Sequence, residues 1–247
     1  MRTSISDLAN RTEPLAADIV CAPQSASPNR SAPNRIFLIS PANASGLRAR
    51  LILGDSARSE LAQRIREKGV PLGEIFSFIS GLYFRGKLTY ARAYANPPSG
   101  AEGIFVITAS GGLISPDKVF TLKKLREVVA GTVHENHAPY REPLERDARS
   151  LCARIGRHCE AILLGSVATQ KYVEPLLGIF GERLLFPAEF VGRGDMSRGG
   201  MLLRCAREAH ELRYVPVAGA VRVGTRPPKL PRASRPGTLR IPKIKSV

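Results

Sequence analysis

The chain has 247 residues, 43% of them apolar, which is enough to bury the core of one domain. Lys and Arg total 37 against 21 Asp and Glu, giving a net charge of +16. That surplus argues against a generic metabolic enzyme and for a polyanionic partner. Four cysteines in this length exclude a small disulfide scaffold and fit a reducing compartment.

Residues 1–35 hold Pro23, Pro28 and Pro33 among Ser and Asn, with few large apolar side chains. Such a segment buries too little to offset its ordering entropy, so a loose arm is expected there. Asp7, Glu13 and Asp18 interrupt its apolar residues, so no secretory signal is expected and a cytoplasmic location is. Residues 36–221 carry nearly all of the periodic pattern and are expected to form one compact domain. Residues 222–247 are a basic, proline-rich tail with eight Lys and Arg and no acid. The tail therefore holds half the net charge, and most of the rest sits on 36–221.

Arg35 to Ser40 reads as a short buried strand stopped by Pro41. Ser56 is placed to cap a helix running to about Lys68, with Leu61, Ala62 and Ile65 on one face and Gly69 and Pro71 beyond its end. Ile104 to Thr108 is a second strand, closed by Gly111-Gly112. Leu144, Ala148, Leu151, Ile155 and Cys159 recur at spacings of three and four, with arginines between them, and predict an amphipathic helix with a basic outer face. Ala161 to Gly165 is a third strand, Thr169 to Leu177 a short helix, and Arg183 to Phe186 a fourth strand. Ser197 is placed to cap a last helix through about His210. Helices between short apolar strands indicate an α/β, or mixed α+β, domain. No apolar run approaches the ~20 residues of a membrane span.

Several segments combine residue types that carry chemistry. In Ser80-Gly81-Leu82-Tyr83-Phe84-Arg85-Gly86-Lys87-Leu88, aromatics interleave with cations, as Tyr90, Arg92 and Tyr94 continue to do. Rings of that kind stack bases while the cations hold phosphates; the same residues also suit an amphipathic segment at a core edge. Thr108 to Asp117 follows a strand and so lies at a carboxyl edge, where open α/β sheets place ligands; a plain strand-to-helix turn fits it equally. Gly192-Arg193-Gly194 and Ser197-Arg198-Gly199-Gly200 open a helix, where backbone amides and the two arginines suit a phosphate or a tight turn. Neither G-x-G-x-x-G nor a P-loop is present. Cys152 and Cys159 share a helix face, which suits packing, and zinc wants a second pair. His134 and His137 lack the H-E-x-x-H spacing, so neither metal nor cofactor is expected, and no Ser-His-Asp triad is assignable.

Taken in order, these elements resemble the YaaA-type family of cytosolic, DNA-associated peroxide-stress proteins. Ile36-Phe37-Leu38-Ile39-Ser40-Pro41-Ala42 is similar to that family's opening strand, with Asn43 where the opener has lysine. Phe78 to Leu88 resembles its Phe-x-Gly-x-x-Tyr-x-Gly-Leu segment, and Ile107 to Pro116 its Leu-Ser-Gly-x-Tyr-Gly-Leu-Leu-x-Pro loop. Phe120 to His137 looks like an insertion before a matching Pro139-Tyr140-Arg141. Gly165-Ser166 through Lys171-Tyr172 resembles its Ala-Ser-x-Glu-Tyr stretch, and Arg193 to Arg198 its Ala-Arg-Gly-x-Met-x-Arg helix start.

The resemblance spans about 36–205. It implies a single mixed α/β domain with a basic cleft that binds double-stranded DNA, acting in stress response, DNA protection or DNA-base modification. Arg85, Lys87, Arg141, Arg193 and Arg198 would line the cleft, and Tyr83 or Tyr140 would stack a base or position a ligand. YaaA-like proteins also occur with 7-deazaguanine DNA-modification systems, where a DpdC-type relative hydrates a nitrile-bearing base in DNA to the amide. An enzyme of that kind would work on a modified base beside other DNA-modification proteins. It would need a group to activate water or attack the nitrile, for which Ser110, Asp117 and Asp195 are candidates, with Ser40 and, inside a helix pattern, Cys205. An RNA- or ribosome-associated protein acting through its tail is the alternative.

Overall fold

The computed structural model describes residues 33–228. They fall within the unit Pro33–Val247. Nearly all of the expected arm, and the tail from 229 onward, lie outside the described residues.

The chain forms β1 (Arg35–Ile39), α1 (Leu47–Leu53), α2 (Glu60–Glu67), β2 (Val70–Pro71), α3 (Leu72–Ser80) and α4 (Leu82–Tyr94). It continues with β3 (Ile104–Ile107), β4 (Leu113–Ile114), β5 (Val119–Phe120), α5 (Leu122–Val129) and α6 (Ala138–Arg154). It ends with β6 (Glu160–Leu164), α7 (Gln170–Phe180), β7 (Leu184–Pro187), α8 (Asp195–Arg207) and β8 (Tyr214–Pro216). The α/β class read from the sequence is the one observed.

One sheet has the order β4-β3-β1-β6-β7-β8. Its inner strands β3, β1, β6 and β7 are parallel, and β4 and β8 close the edges antiparallel. Ile36, Phe37, Leu38 and Ile39 are all fully buried, as are Ala161 to Leu164 beside them. A strand covered on both faces needs a continuous apolar run rather than alternation, which is why these segments stood out in the sequence. A separate two-stranded ladder pairs β2 with β5.

Some boundaries differ from expectation. The helix assigned to a Ser56 cap starts at Glu60, because Ser59 Oγ accepts the amide of Ala62 at 3.2 Å. The basic helix stops at Arg154 rather than reaching Cys159, since Gly156 turns the chain at φ +73°. The last helix starts at Asp195, two residues before Ser197, and ends at Arg207. Over Phe120 to His137 the chain completes β5, forms α5 and then runs as a loop into α6. Residues 222–228 do not leave the fold as free tail: Arg222 donates to Gln170 Oε1 at 3.4 Å, and the Pro228 carbonyl accepts from Arg193.

Helices α4 and α8 touch backbone to backbone. A Cβ added at Gly86 would stand 2.6 Å from the Gly199 carbonyl oxygen. This contact sets the start of α8 against the buried face of α4. Among the described residues no helix is long and apolar enough to cross a membrane.

Candidate functional site

From β1 the chain moves to β3 on one side, while β6 and then β7 follow on the other. The connections diverge between β1 and β6, and open α/β sheets bind ligands outside the carboxyl ends at such a switch point. A cleft of about 600 Å³ opens there, within the range of small-molecule sites. Three strand ends contribute to it: Ser40 after β1, Ala109 after β3 and Ser166 after β6. Tyr83 of α4, Lys171 and Tyr172 of the first turn of α7, and Asp195 at the start of α8 also line it. The segment that looked like an insertion adds Val128, Val129 and Thr132.

Beneath this lining lies Lys87, only 1% exposed. Its Nζ donates to the Ser40 carbonyl at 2.6 Å and to Ser40 Oγ at 2.7 Å, and sits 4.4 Å from the Tyr83 ring centre. An ammonium buried without an ion-pair partner is costly. Desolvation therefore pulls Lys87 down to about 7; the Asp195 charge opposes this, and those of Arg198 and Lys171 add to it. Burial pushes Tyr83 up to about 12 and raises Tyr172 as well, so both stay protonated at neutral pH. Tyr83 Oη is buried and makes no hydrogen bond among the described residues.

Arg198 is 6% exposed. Its Nε and Nη2 donate to the Phe190 carbonyl at 3.2 and 2.8 Å, and its Nη1 lies 3.8 Å from Asp195 Oδ1. It anchors the start of α8 and is not among the cleft-lining residues.

A second hollow, of about 320 Å³, lies on the other side of that helix start. Arg193, Arg204 and Arg226 line it with Gly194, Ser197 and Gly200, and among the described residues no acid does. Arg193 Nη1 donates to the Pro228 carbonyl at 3.3 Å, while its Nε is buried and finds no partner among the described residues. Gly194 borders this hollow and Asp195 borders the cleft, so the two abut across one peptide bond.

The residues singled out in the sequence thus divide. Tyr83 and Asp195 line the cleft, Lys87 lies under it, and Arg193 lines the arginine hollow. Lys87 is too deeply buried to meet a phosphate. Tyr140 is fully enclosed, its hydroxyl donating to the Lys171 carbonyl at 2.7 Å, so its ring offers no face to a base. Arg141 is held by Glu145 at 2.5 Å and Glu174 at 2.7 Å. Arg85 is exposed on α4, outside both hollows. Ser110 stands just off the cleft and donates to the Glu127 carbonyl at 2.7 Å. Asp117 is exposed and paired with Arg92 at 2.5 Å. Cys205 is buried on α8, and burial pushes its thiol up. Among the described residues no cluster of His, Cys, Asp and Glu is arranged to hold a metal.

Ser166, Lys171, Tyr172, Arg204 and Arg226 also border the two hollows, and no local sequence pattern marks them for a role. The clue to Lys87 was its spacing. Tyr83, Lys87, Tyr90 and Ala91 recur as one helical stripe, and a lysine inside such a stripe is a buried lysine. Comparison with protein-family models, curated proteins and solved structures finds no match to this chain.

Proposed function

We propose that this chain is a YaaA-like, duplex-DNA-binding protein that acts in DNA-base modification or protection. The arginine hollow holds backbone phosphates, and the switch-point cleft receives one base turned out of the duplex. The observation that supports this most is the meeting of the two hollows across the start of α8. Among the described residues every charged side chain lining one hollow is an arginine, and the other is a cleft of mixed polar and apolar lining flanked by Tyr83 and Tyr172. Phosphate contacts fix register, and enzymes that work on a base must extrude it into a pocket. The net charge of +16 supplies the sequence-independent attraction.

The test is a nucleoside mass spectrum of digested DNA from cells that carry a modified base, with and without the gene. The expected result is a change in the modified-nucleoside peak, such as a precursor accumulating in the deletion. An unchanged profile would remove base modification and leave binding alone.

A further inference from the structure

The hydrogen bonds under the cleft have a consequence beyond DNA binding. Ser40 is at the carboxyl end of the central strand, 5% exposed, and its remaining surface opens on the cleft. Its Oγ lies 2.7 Å from the Lys87 amine, and Lys87 is itself held by the Ser40 carbonyl at 2.6 Å. A Cβ at Gly165 would come within 3.1 Å of Ser40 Cβ, so a glycine beside Ser40 leaves its side chain room. We propose that Ser40 and Lys87 form a serine–lysine nucleophilic pair, with Ser40 Oγ attacking an acyl carbon held in the cleft and Lys87 acting as its base.

Several features fit that chemistry. A serine hydroxyl is a weak nucleophile until an adjacent base takes its proton. An amine serves as that base only when it is neutral. Burial brings the neutral form of Lys87 within reach at physiological pH; of the charges facing it, Asp195 from α8 opposes this, while Arg198 from α8 and Lys171 from α7 add to it. The neutral amine keeps one N–H for the Ser40 carbonyl and turns its lone pair to Ser40 Oγ–H. The first turn of α7 borders the cleft and has no side-chain cap, which leaves its first amides without a side-chain acceptor on that edge.

The step balances simply. Ser40 Oγ bonds to the acyl carbon while its proton passes to Lys87 Nζ. The bond from that carbon to the leaving group breaks, and Lys87 returns the proton to the leaving group. Water then attacks the acyl-serine, giving up a proton to Lys87. The carboxylic acid departs, and Ser40 regains its proton.

This assignment does not rest on the DNA reading, and its readout is separate. The full-length protein is treated with a fluorophosphonate ester, which phosphonylates an activated serine with loss of fluoride, at pH values from about 5 to about 9. Intact mass and peptide mapping locate the adduct. The expected result is a single adduct on Ser40, formed at a rate that rises through a midpoint near pH 7. Ser40→Ala abolishes it, and Lys87→Met and Lys87→Arg slow it by about 100-fold or more. No adduct on Ser40, or equal rates in folded Lys87 variants, would overturn the pair. Should the Lys87 variants fail to fold by circular dichroism, the wild-type profile decides, and a rate that does not climb through pH 7 overturns it.

Discussion

Gly86 on α4 and Gly199 on α8 face each other so closely that neither has room for a side chain. A Cβ at Gly199 would lie 2.7 Å from Tyr83 Cα, and one at Gly86 2.6 Å from the Gly199 oxygen. Both obstacles are backbone, which cannot swing aside. The contact matters to the site because Arg198 adjoins Gly199 and Lys87 adjoins Gly86. Gly199→Ala is expected to push the helices apart and destabilise the protein by about 1–3 kcal/mol. Thermal melting should show a drop of several degrees. An unshifted melting temperature would mean that the helices slide apart without cost.

The depressed lysine makes a prediction about pH. Lys87 falls to about 7 in the folded protein from an ordinary 10.5. Between those values the unfolded chain binds the proton and the folded chain does not, so stability rises with pH across that window. Below about pH 7 both states are protonated and the cost of burying the charge is fully present. The melting temperature of wild type minus that of Lys87→Met should therefore climb from pH 7 toward pH 10. Burial raises Tyr83 and Tyr172 above the ordinary 10, so their contribution begins to fall only beyond that window. A difference that stays constant with pH would show that Lys87 keeps its charge.

Arginines of similar formal charge should behave differently. Arg193 and Arg226 line a hollow that no acid borders among the described residues. Arg141 has its charge answered by Glu145 and Glu174. Arg193→Ala and Arg226→Ala should each weaken duplex binding and each reduce the slope of log affinity against log salt by about one. Arg141→Ala should leave both unchanged. Equal losses for all three would point to a diffuse charge effect in place of a built hollow.

Much of the frame was legible because the inner strands are continuous apolar runs. Arg35–Ile39, Ile104–Ile107 and Glu160–Leu164 lie where the sequence put them, to within a residue or two. Other elements carried little signal of their own. Leu47–Leu53 buries only Ala49 and Ile52, and Tyr214–Pro216 is three residues held by pairing with β7. Their stability comes from neighbours distant in sequence. The site was harder still. Arg85, Lys87, Arg141 and Arg198 all read as free cations, and only the fold distinguishes an exposed one from a buried or paired one. Strand order, which creates the switch-point cleft, depends on pairings that no local pattern encodes.

The central claim is that the folded domain grips duplex DNA at the arginine hollow beside the cleft. It is tested most directly by fluorescence anisotropy of a labelled duplex titrated with the full chain and with Arg193→Ala/Arg226→Ala, over a salt series. Tight binding at low salt, a steep loss as salt rises, and a slope shallower by about two in the double variant are expected. Binding that survives the double variant with its affinity and slope intact would contradict it and move the contact to the basic tail.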